Sequence, residues 1–367
     1  MRITGLDWTH FRLPLREVFH TATGGFAQRE GVLLRLTTDA GLVGFGEASP
    51  HPALGRGAVQ DVLEALRRQA PRLLGAQVEE VEALSTNIPP ALACALDTAA
   101  CDILARARGI GVARLLSADP RNSVPVNAVI AAETAAGAAS EAAAAREAGF
   151  PCVKLKVGTA ATPAAEVERV AAVRQALDPH IKLRLDANGA WTCEQAVSLI
   201  RALARFDLEL VEQPVSAGDL EGLAQVRAAV GVPIAADEAV TGVEAARQVL
   251  EAAAADVLVI KPMVVGGLRP ARRIIEMATA AGVEVIVTTT IDSAVGTAAA
   301  LHLAATLPPT ARACGLATGA LLAGDLVKKP PTAQAGWMQL PDRPGLGVEP
   351  DADLLARFAI TAEGVRA

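Results

Sequence analysis

The chain has 367 residues, of which 51% are hydrophobic and 3% aromatic, with no Tyr and a formal net charge of −6 at pH 7. That apolar content is enough for a large core, for example one barrel plus a smaller domain. The interspersed charges and scarce aromatic residues argue against a nucleic-acid partner, and no run of about 18 uncharged apolar residues predicts a membrane span.

The first third of the chain predicts a small α+β domain over residues 1–120. Its N-terminus lacks the charged and apolar segments of a signal peptide and predicts a first strand, so we expect a mature cytoplasmic protein. Two further strand-like runs flank a turn at Asp39–Gly41, and apolar-periodic helices follow at about 58–74 and 89–107.

The rhythm changes after this domain, and eight strand-like runs alternate with seven alanine-rich helical stretches. This alternation predicts a parallel (β/α) barrel over residues 121–322. The Pro- and Gly-rich segment 323–367 is expected to return to the N-terminal domain. The predicted barrel strands cover residues 124–131, 152–157, 181–186, 208–212, 233–237, 256–261, 283–289 and 313–318.

Three acids stand at the ends of consecutive predicted strands. Asp186, Glu212 and Asp237 lie 26 and 25 residues apart, which is about one strand-plus-helix unit each. A barrel would aim all three carboxylates from the C-terminal ends of its strands at one point. Burial and mutual repulsion oppose ionisation of three bare carboxylates, and a divalent cation resolves that conflict. An all-oxygen ligand set favours Mg²⁺ first and Mn²⁺ second.

Three lysines are predicted to share this end of the barrel. Lys154 and Lys156 are two residues apart on one strand and therefore point to the same face. Lys261 ends a strand across the barrel mouth, so two lysines would flank a bound substrate. We expect a metal and a neighbouring cation to lower a lysine pKa towards working pH. This set predicts proton abstraction next to the carboxylate of a small-molecule substrate.

Five segments carry these acids and lysines and lie in order along the predicted barrel: VKLKVG, RLDANGAWT, VEQPV, AADEAV and VIKPMVVGGL. With the N-terminal REGVLLRLTTDAGLVGFGEASP, they resemble the muconate-lactonising subgroup of the enolase superfamily. The resemblance implies a modified (β/α)₇β barrel with an α+β capping domain that the C-terminal segment completes. It assigns the three acids to Mg²⁺ and Lys156 as the principal acid/base, tuned by Lys154. Lys261 becomes a second base or a cation that stabilises the enolate.

Other residues are predicted to support this chemistry. Asn188 and Glu238 lie beside the metal ligands and are expected to orient ligands or water. Arg29 lies with Phe26 in a Gly-containing segment that is either a plain surface loop or, as the resemblance implies, a loop that closes over the barrel mouth. His302 lies in an apolar helix and is interpreted as a packed histidine. Substrate-binding candidates at the ends of the last two barrel strands are Thr289, Thr290 and Gly315, and Arg29 of the N-terminal segment is a fourth candidate.

Four reactions of the subgroup compete, and the resemblance favours o-succinylbenzoate synthase, a dehydratase of menaquinone biosynthesis. GFGEASP and ACGLATGALLAGDLV are similar to synthase sequences. Dipeptide epimerases carry an Asp-x-Asp near strand eight, where this chain has Ala317. Racemising relatives often have an Arg shortly after the second lysine, where this chain has Met263 and two valines. Strand seven also departs from synthases, because Asp292 stands where they more often show Glu.

The alternatives therefore stay open in a definite order. N-succinylamino-acid racemase and dipeptide epimerase follow the synthase, and muconate cycloisomerase follows them. A barrel that has lost its chemistry and persists as a binding protein is a distant alternative, because all six acids and lysines are intact. The sequence leaves the oligomeric state undecided, a homo-oligomer included.

Overall fold

The computed structural model describes residues 1–21, 24–51 and 57–367, and the chain begins in a four-stranded antiparallel sheet. Its first three strands are β1 (Ile3–Thr21), β2 (Gly24–Thr38) and β3 (Val43–Ala48). The last strand of the chain pairs with β1 on its other side, so the C-terminal segment completes this sheet.

Helices cover one face of the sheet, and close packing depends on two glycines of β3. A Cβ on Gly44 or Gly46 would collide with the backbone carbonyls of Ala99 and Ala95 in the long helix behind them. The sheet and that helix therefore pack backbone against backbone. The helices of this region are α1 (Val59–Leu73), α2 (Val81–Leu84), α3 (Pro90–Ala107) and α4 (Val112–Leu116), with a 3₁₀ helix at Val78–Glu80.

A seven-stranded parallel sheet, in chain order from edge to edge, forms the barrel. A short strand, β4 (Ser123–Pro125), precedes it and pairs with a strand of the C-terminal segment. The barrel strands are β5 (Asn127–Ile130), β6 (Cys152–Lys156), β7 (Lys182–Asp186), β8 (Leu208–Glu212), β9 (Ile234–Ala236), β10 (Val257–Ile260) and β11 (Glu284–Val287).

Residues 314–315 take the place of an eighth strand. Cys314 bridges to Val126 and Gly315 bridges to Thr288, both in parallel, which closes the ring between its two edges. The predicted strand over 313–318 is thus only two residues long. Thr288 packs so closely on Gly315 that a side chain there would collide, and the chain turns into a 3₁₀ helix at Ala317–Leu321. The fold is the modified (β/α)₇β barrel with a capping domain that the sequence predicts.

Helices surround the barrel, and several begin at a residue whose side chain caps the helix. Thr134, Thr162, Thr192 and Ser293 each accept a backbone N–H of the following first turn, which satisfies a donor that the helix leaves free. The helices around the barrel are α5 (Ala135–Glu147), α6 (Pro163–Ala176), α7 (Cys193–Leu203), α8 (Leu220–Ala229), α9 (Val243–Glu251), α10 (Pro262–Val265), α11 (Leu268–Ala280) and α12 (Ala294–Ala304), with a 3₁₀ helix at Ala204–Phe206.

The chain ends with β12 (Trp337–Gln339), α13 (Ala352–Phe358) and β13 (Ala359–Arg366). β12 pairs with β4 and β13 pairs with β1. None of the helices in the described ranges is long and apolar enough to cross a membrane. Inside the barrel, a small apolar cluster lies below the strand ends and consists of Leu210, Ala235, Val257, Val259 and Ile286.

Candidate active site

The three predicted acids lie side by side at the C-terminal ends of neighbouring strands. Asp186 and Glu212 are the last residues of β7 and β8 and are direct partners in the parallel ladder. Asp237 follows β9, in which Ala235 pairs with Glu212. All three are buried, with exposed fractions of 0%, 2% and 4%. Burial of three acids in adjacent positions is electrostatically unfavourable unless positive charge compensates it.

Two of the predicted lysines contact two of these acids. The Nζ of Lys154 lies 2.8 Å from Glu212 Oε1 and 2.9 Å from Asp186 Oδ2. The Nζ of Lys156 donates to Asp186 Oδ2 at 2.6 Å. Both lysines lie on the same face of β6 because they are two residues apart, and their contacts with Asp186 and Glu212 place that face towards the acids. Lys154 therefore lies between two of the carboxylates.

The third lysine pairs with the third acid. The Nζ of Lys261, immediately after β10, lies 2.5 Å from Asp237 Oδ2. The structure thus brings all six predicted residues into one buried group. Ammonium groups lie among the carboxylates, and no three acidic, His or Cys side chains in the described ranges form a ready-made metal cage.

The pKa values show how unevenly charge is distributed among the three acids. Burial and neighbouring Asp186 raise the pKa of Glu212 to about 7, and burial raises the pKa of Asp237. Lys154 and Lys156 outweigh burial at Asp186 and lower its pKa. Two of the three acids therefore lack sufficient positive charge. A divalent cation would supply it, and carboxylate oxygens are suitable ligands for Mg²⁺; the donor set fits.

The carboxylates raise the pKa values of two of the three lysines. Contacts with Asp186 and Glu212 outweigh burial and raise the pKa of Lys154. Asp237 has the same effect on Lys261. Close carboxylates stabilise the ammonium form more strongly than the neighbouring cation destabilises it.

Asn188 connects the base candidate to its neighbours. Its Oδ1 accepts from Lys156 Nζ at 3.0 Å, and its Nδ2 donates to Glu238 Oε1 at 2.8 Å. Its backbone N–H donates to Asp186 Oδ1 at 3.1 Å. The residue has a φ of 45°, in the left-handed region that Asn tolerates better than most residues. Asn188 and Glu238 thus lie where the sequence placed orienting groups.

Gln213 was missed by the sequence argument. Its side chain is fully buried, and its Oε1 accepts from the backbone N–H groups of Asp237 and Ala239 at 3.0 and 3.2 Å. Its Nε2 donates to Val215 O at 2.9 Å. Gln213 therefore joins the ends of β8 and β9, which carry two of the acids. The sequence did contain a signal for this role, because Gln213 is a polar residue between the strand-end acid Glu212 and Pro214.

A cavity of about 310 Å³ opens beside the acids and lysines. Phe19 and Phe26 of the capping sheet face it from above. Hydroxyl groups line another wall, where Thr289 Oγ1 lies 2.6 Å from Thr318 Oγ1. Asp237 and Glu238 are the carboxylates among its lining residues in the described ranges. The substrate-binding candidates Thr289, Thr290 and Gly315 all line this cavity.

His51 adds a neutral polar group to the roof. Its ring packs edge-on against Phe26 with the centroids 4.9 Å apart. Burial and the positive charges of Arg29, Lys261 and Lys156 lower its pKa to about 3. A neutral imidazole offers one donor and one acceptor to a ligand.

Arg29 does not contact the cavity, which corrects the expectation that it binds substrate. Its guanidinium is buried and donates to the backbone carbonyls of Ser49, Pro50 and Ile291. Those carbonyls lie far from Arg29 in sequence, so no local pattern could indicate them. Of the loop that was expected to close over the mouth, residues 22–23 lie outside the described residues.

His302 is a packed histidine, as interpreted. It is completely buried, its Nδ1 accepts from Ala113 N–H at 3.2 Å, and its Nε2–H donates to Leu346 O at 3.1 Å. Both ring nitrogens are used inside the fold, which leaves none for a substrate.

Comparison with known proteins identifies close relatives along nearly the whole chain. A sequence profile described as "Enolase C-terminal domain-like" matches residues 137–354, and one described as "Mandelate racemase / muconate lactonizing enzyme, N-terminal domain" matches residues 5–117. The o-succinylbenzoate synthase of Thermobifida fusca (strain YX) is 37% identical over 321 residues, which are 87% of this chain and 83% of that protein.

Solved structures agree with this result. N-succinyl Arg/Lys racemase from Bacillus cereus ATCC 14579 has a TM-score of 0.94 at 26% identity, and the match covers 100% of both chains. Dipeptide epimerase from Enterococcus faecalis V583, complexed with Mg and the dipeptide L-Leu-L-Tyr, has a TM-score of 0.90 at 30% identity. That match covers 95% of this chain and 100% of the epimerase chain. Further relatives at 27–32% identity are epimerases, a racemase and muconate cycloisomerases, so similarity does not single out one reaction.

Proposed function

The chain belongs to the enolase superfamily, and on that basis we propose that it removes a proton alpha to a substrate carboxylate, specifically as an o-succinylbenzoate synthase. The observation that carries this proposal is the buried group of acids and lysines beside a cavity. The other walls of that cavity carry apolar and aromatic side chains, hydroxyl groups, the imidazole of His51 and the amide of Asn127. The reaction is the syn dehydration of 2-succinyl-6-hydroxy-2,4-cyclohexadiene-1-carboxylate in menaquinone biosynthesis.

Asp186, Glu212 and Asp237 are the proposed ligands of Mg²⁺, with Mn²⁺ as the second choice. When bound, the cation supplies positive charge that stabilises the enolate formed as the alpha proton leaves. Gln213 holds the backbone that carries Asp237, and Asn188 connects Asp186 to Glu238. These contacts fix the directions of the ligand-bearing strand ends.

Lys156 is the proposed base, acting in its neutral form. Its Nζ takes the proton from the ring carbon next to the carboxylate, and the electron pair of that C–H bond is delocalised into the carboxylate. The lysine then returns this proton to the hydroxyl group on the neighbouring carbon as the C–O bond breaks. Water leaves and the ring becomes aromatic, so a single lysine serves both half-steps on one face.

The other two lysines would act through their charge. Lys154 is the proposed neighbour that tunes Lys156, and its ammonium group is held by Asp186 and Glu212. Lys261 would place its ammonium group on the opposite side of the substrate and stabilise the developing negative charge.

Racemisation of N-succinylamino acids is the second candidate. A racemase needs an acid/base group on each face of the reacting carbon, and Lys156 and Lys261 line the same cavity from strands that are four apart in the sheet. Dipeptide epimerisation has less support, because the substrate ammonium group would need an acid where Ala317 stands. Muconate cycloisomerisation ranks below these, and a non-catalytic barrel last.

The test compares the first two candidates with the same protein preparation. Purified protein with Mg²⁺ is given the cyclohexadiene substrate, and the loss of diene absorbance is followed with and without a chelator. In parallel, N-succinylamino acids are incubated in D₂O, and exchange of the alpha proton is measured by NMR. The variant Asp186→Asn, which removes a proposed ligand with little change in shape, is the matched control.

The outcomes separate the candidates. Rapid, chelator-sensitive loss of absorbance that Asp186→Asn abolishes supports the synthase. Exchange on N-succinylamino acids without dehydration replaces the synthase with the racemase. If the protein binds Mg²⁺ but catalyses neither reaction, both proposals are overturned.

A further inference from the structure

A buried arginine joins the capping sheet to the barrel beside the cavity. Arg29, on β2, has only 4% of its surface exposed. Its Nη2 donates to Ser49 O at 2.8 Å, its Nη1 to Pro50 O at 3.3 Å and its Nε to Ile291 O at 3.3 Å. The first two carbonyls belong to the cap and the third to the loop after β11. One planar guanidinium therefore binds both parts of the molecule.

The barrel carbonyl in this contact belongs to a strained residue. Ile291 has a φ of 62°, a left-handed conformation that a β-branched side chain disfavours. Such a conformation persists only where surrounding contacts impose it. Ile291 lines the cavity, so its backbone conformation decides which group the substrate meets on that wall.

Contacts on both sides of Ile291 hold it in place. Before it, Thr290 donates through its hydroxyl and its backbone N–H to Asp292 Oδ1 at 2.5 and 3.2 Å. After it, Ser293 donates its backbone N–H to Glu47 Oε1 at 2.9 Å and its hydroxyl to Glu47 Oε2 at 2.5 Å. Glu47 belongs to β3, so the cap reaches this loop a second time.

Arg29 is also the positive charge that these two acids face. Asp292 and Glu47 have 2% and 1% of their surfaces exposed. Burial, followed by the repulsion of Glu47, raises the pKa of Asp292 to about 7, and Arg29 opposes that rise. Without Arg29, two buried acids would face each other with less compensation.

The cap side of the contact leads to a second wall of the cavity. Ser49 and Pro50 immediately precede His51, which lines the cavity and packs on Phe26. Fixing the two carbonyls fixes the start of that wall. Arg29 therefore holds the backbone next to both Ile291 and His51.

We propose that Arg29 is a positioning residue that joins the cap to the barrel and sets the placement of Ile291 and His51. Its effect is on affinity for the part of the substrate remote from the acidic carbon, and not on proton transfer by Lys156. This role rests on the proposed function of the same cavity.

The experiment uses Arg29→Met, the milder Arg29→Lys, and Arg35→Met as the matched control. Arg35 is on the same strand, where it pairs with Asp7 at 3.0 Å and its side chain is 42% exposed. Hydrogen–deuterium exchange is measured without substrate on peptides that cover residues 43–51 and 288–296. Values of kcat and KM are measured with whichever substrate the wild-type protein converts.

We expect Arg29→Met to accelerate exchange in both peptides by about tenfold or more, while Arg35→Met does not. KM should rise by about tenfold, with kcat within about threefold of the wild-type value. Arg29→Lys should resemble Arg29→Met, because one ammonium group cannot replace a fork that reaches three carbonyls.

Unchanged exchange in both peptides would overturn the proposal, as would a fall in kcat at constant KM. If Arg29→Met does not fold, the same two measurements on Arg29→Lys decide. If the wild-type protein converts neither substrate, the proposed function fails while the exchange result still decides the role of Arg29.

Discussion

Two layers of the barrel interior bury charged groups in different ways. At the mouth, Asp186 and its neighbours mix three acids with three lysines beside a cavity of about 310 Å³. Two residues earlier on β7, Arg184 is 1% exposed and donates to Glu209 at 2.5 Å and to Ala313 O at 2.7 Å. Arg312 meets Glu209 from the other side at 3.2 Å. Neither Arg184 nor Glu209 lines the cavity.

The difference lies in how far the charges are compensated. Arg184 and Arg312 outweigh burial at Glu209 and lower its pKa. At the mouth, Glu212 and Asp237 have raised pKa values, and Asp237 lines the cavity. A buried charge alone therefore does not identify a functional site. Incomplete compensation next to a cavity is the more informative combination.

The largest expected effect is at the mouth. Lys156→Ala removes the proposed base and should lower turnover by about 10³-fold or more, while Mg²⁺ still binds because the three acids remain. Turnover and calorimetric Mg²⁺ titration measure the two parts separately. Lys182→Ala, an exposed lysine at the start of β7, is the control. Full activity in Lys156→Ala would contradict the mechanism.

The mouth could be predicted from sequence because a barrel aligns strand ends. Once Asp186 ended one strand and Glu212 the next, the parallel register alone placed them side by side. Alternation along β6 then placed Lys154 and Lys156 on the same face. The alternation of side chains along a strand and the regular spacing of the strand-plus-helix units were sufficient to predict these positions.

The rest depended on contacts that no local pattern contains. Arg29 meets a carbonyl 262 positions away, and Arg184 meets one 129 positions away. The direction of a long side chain is set by such tertiary partners, so Arg29 was predicted to bind substrate although its guanidinium binds backbone carbonyls. The eighth strand, predicted over 313–318, was predicted too long for a similar reason, since close packing of Thr288 on Gly315 appears only in three dimensions.

The lower layer of the barrel interior, which contains Arg184 and Glu209, should affect the free energy of unfolding and not the rate of the chemical step. Arg184→Met leaves Glu209 with one partner fewer in a buried place and should lower the free energy of unfolding by roughly 3–5 kcal/mol. The double variant Arg184→Met/Glu209→Gln should recover part of that loss, because no unpaired charge remains. Urea unfolding measures both, and kcat of the folded protein should be unchanged. A large fall in kcat would mean that the two layers are not separate.

The buried imidazole of His302 should make the stability of the protein depend on pH. Burial lowers its pKa to about 4, whereas the unfolded chain has the ordinary value of 6.5. As pH falls, the unfolded state binds the proton first, so stability is constant above 6.5 and declines between 6.5 and 4. The loss approaches roughly 3 kcal/mol below that window. His302→Asn keeps an acceptor for Ala113 N–H and should remove the decline in the free energy of unfolding between pH 6.5 and 4. If the variant shows the same decline, groups other than His302 cause it.

The smallest effect is expected from the hydroxyl pair of Thr289 and Thr318 at the mouth. Thr289→Val removes one partner of the contact with Thr318, and its isosteric shape preserves packing. If the hydroxyls bind substrate, KM should rise by about fivefold, the equivalent of one neutral hydrogen bond of about 1 kcal/mol, with kcat unchanged. Thr289→Ser, which keeps the hydroxyl, should retain most of the affinity. Equal KM values for the wild-type and valine enzymes would instead make the pair a structural contact like those of the lower layer, and the uncompensated acids and lysines alone would then distinguish the mouth.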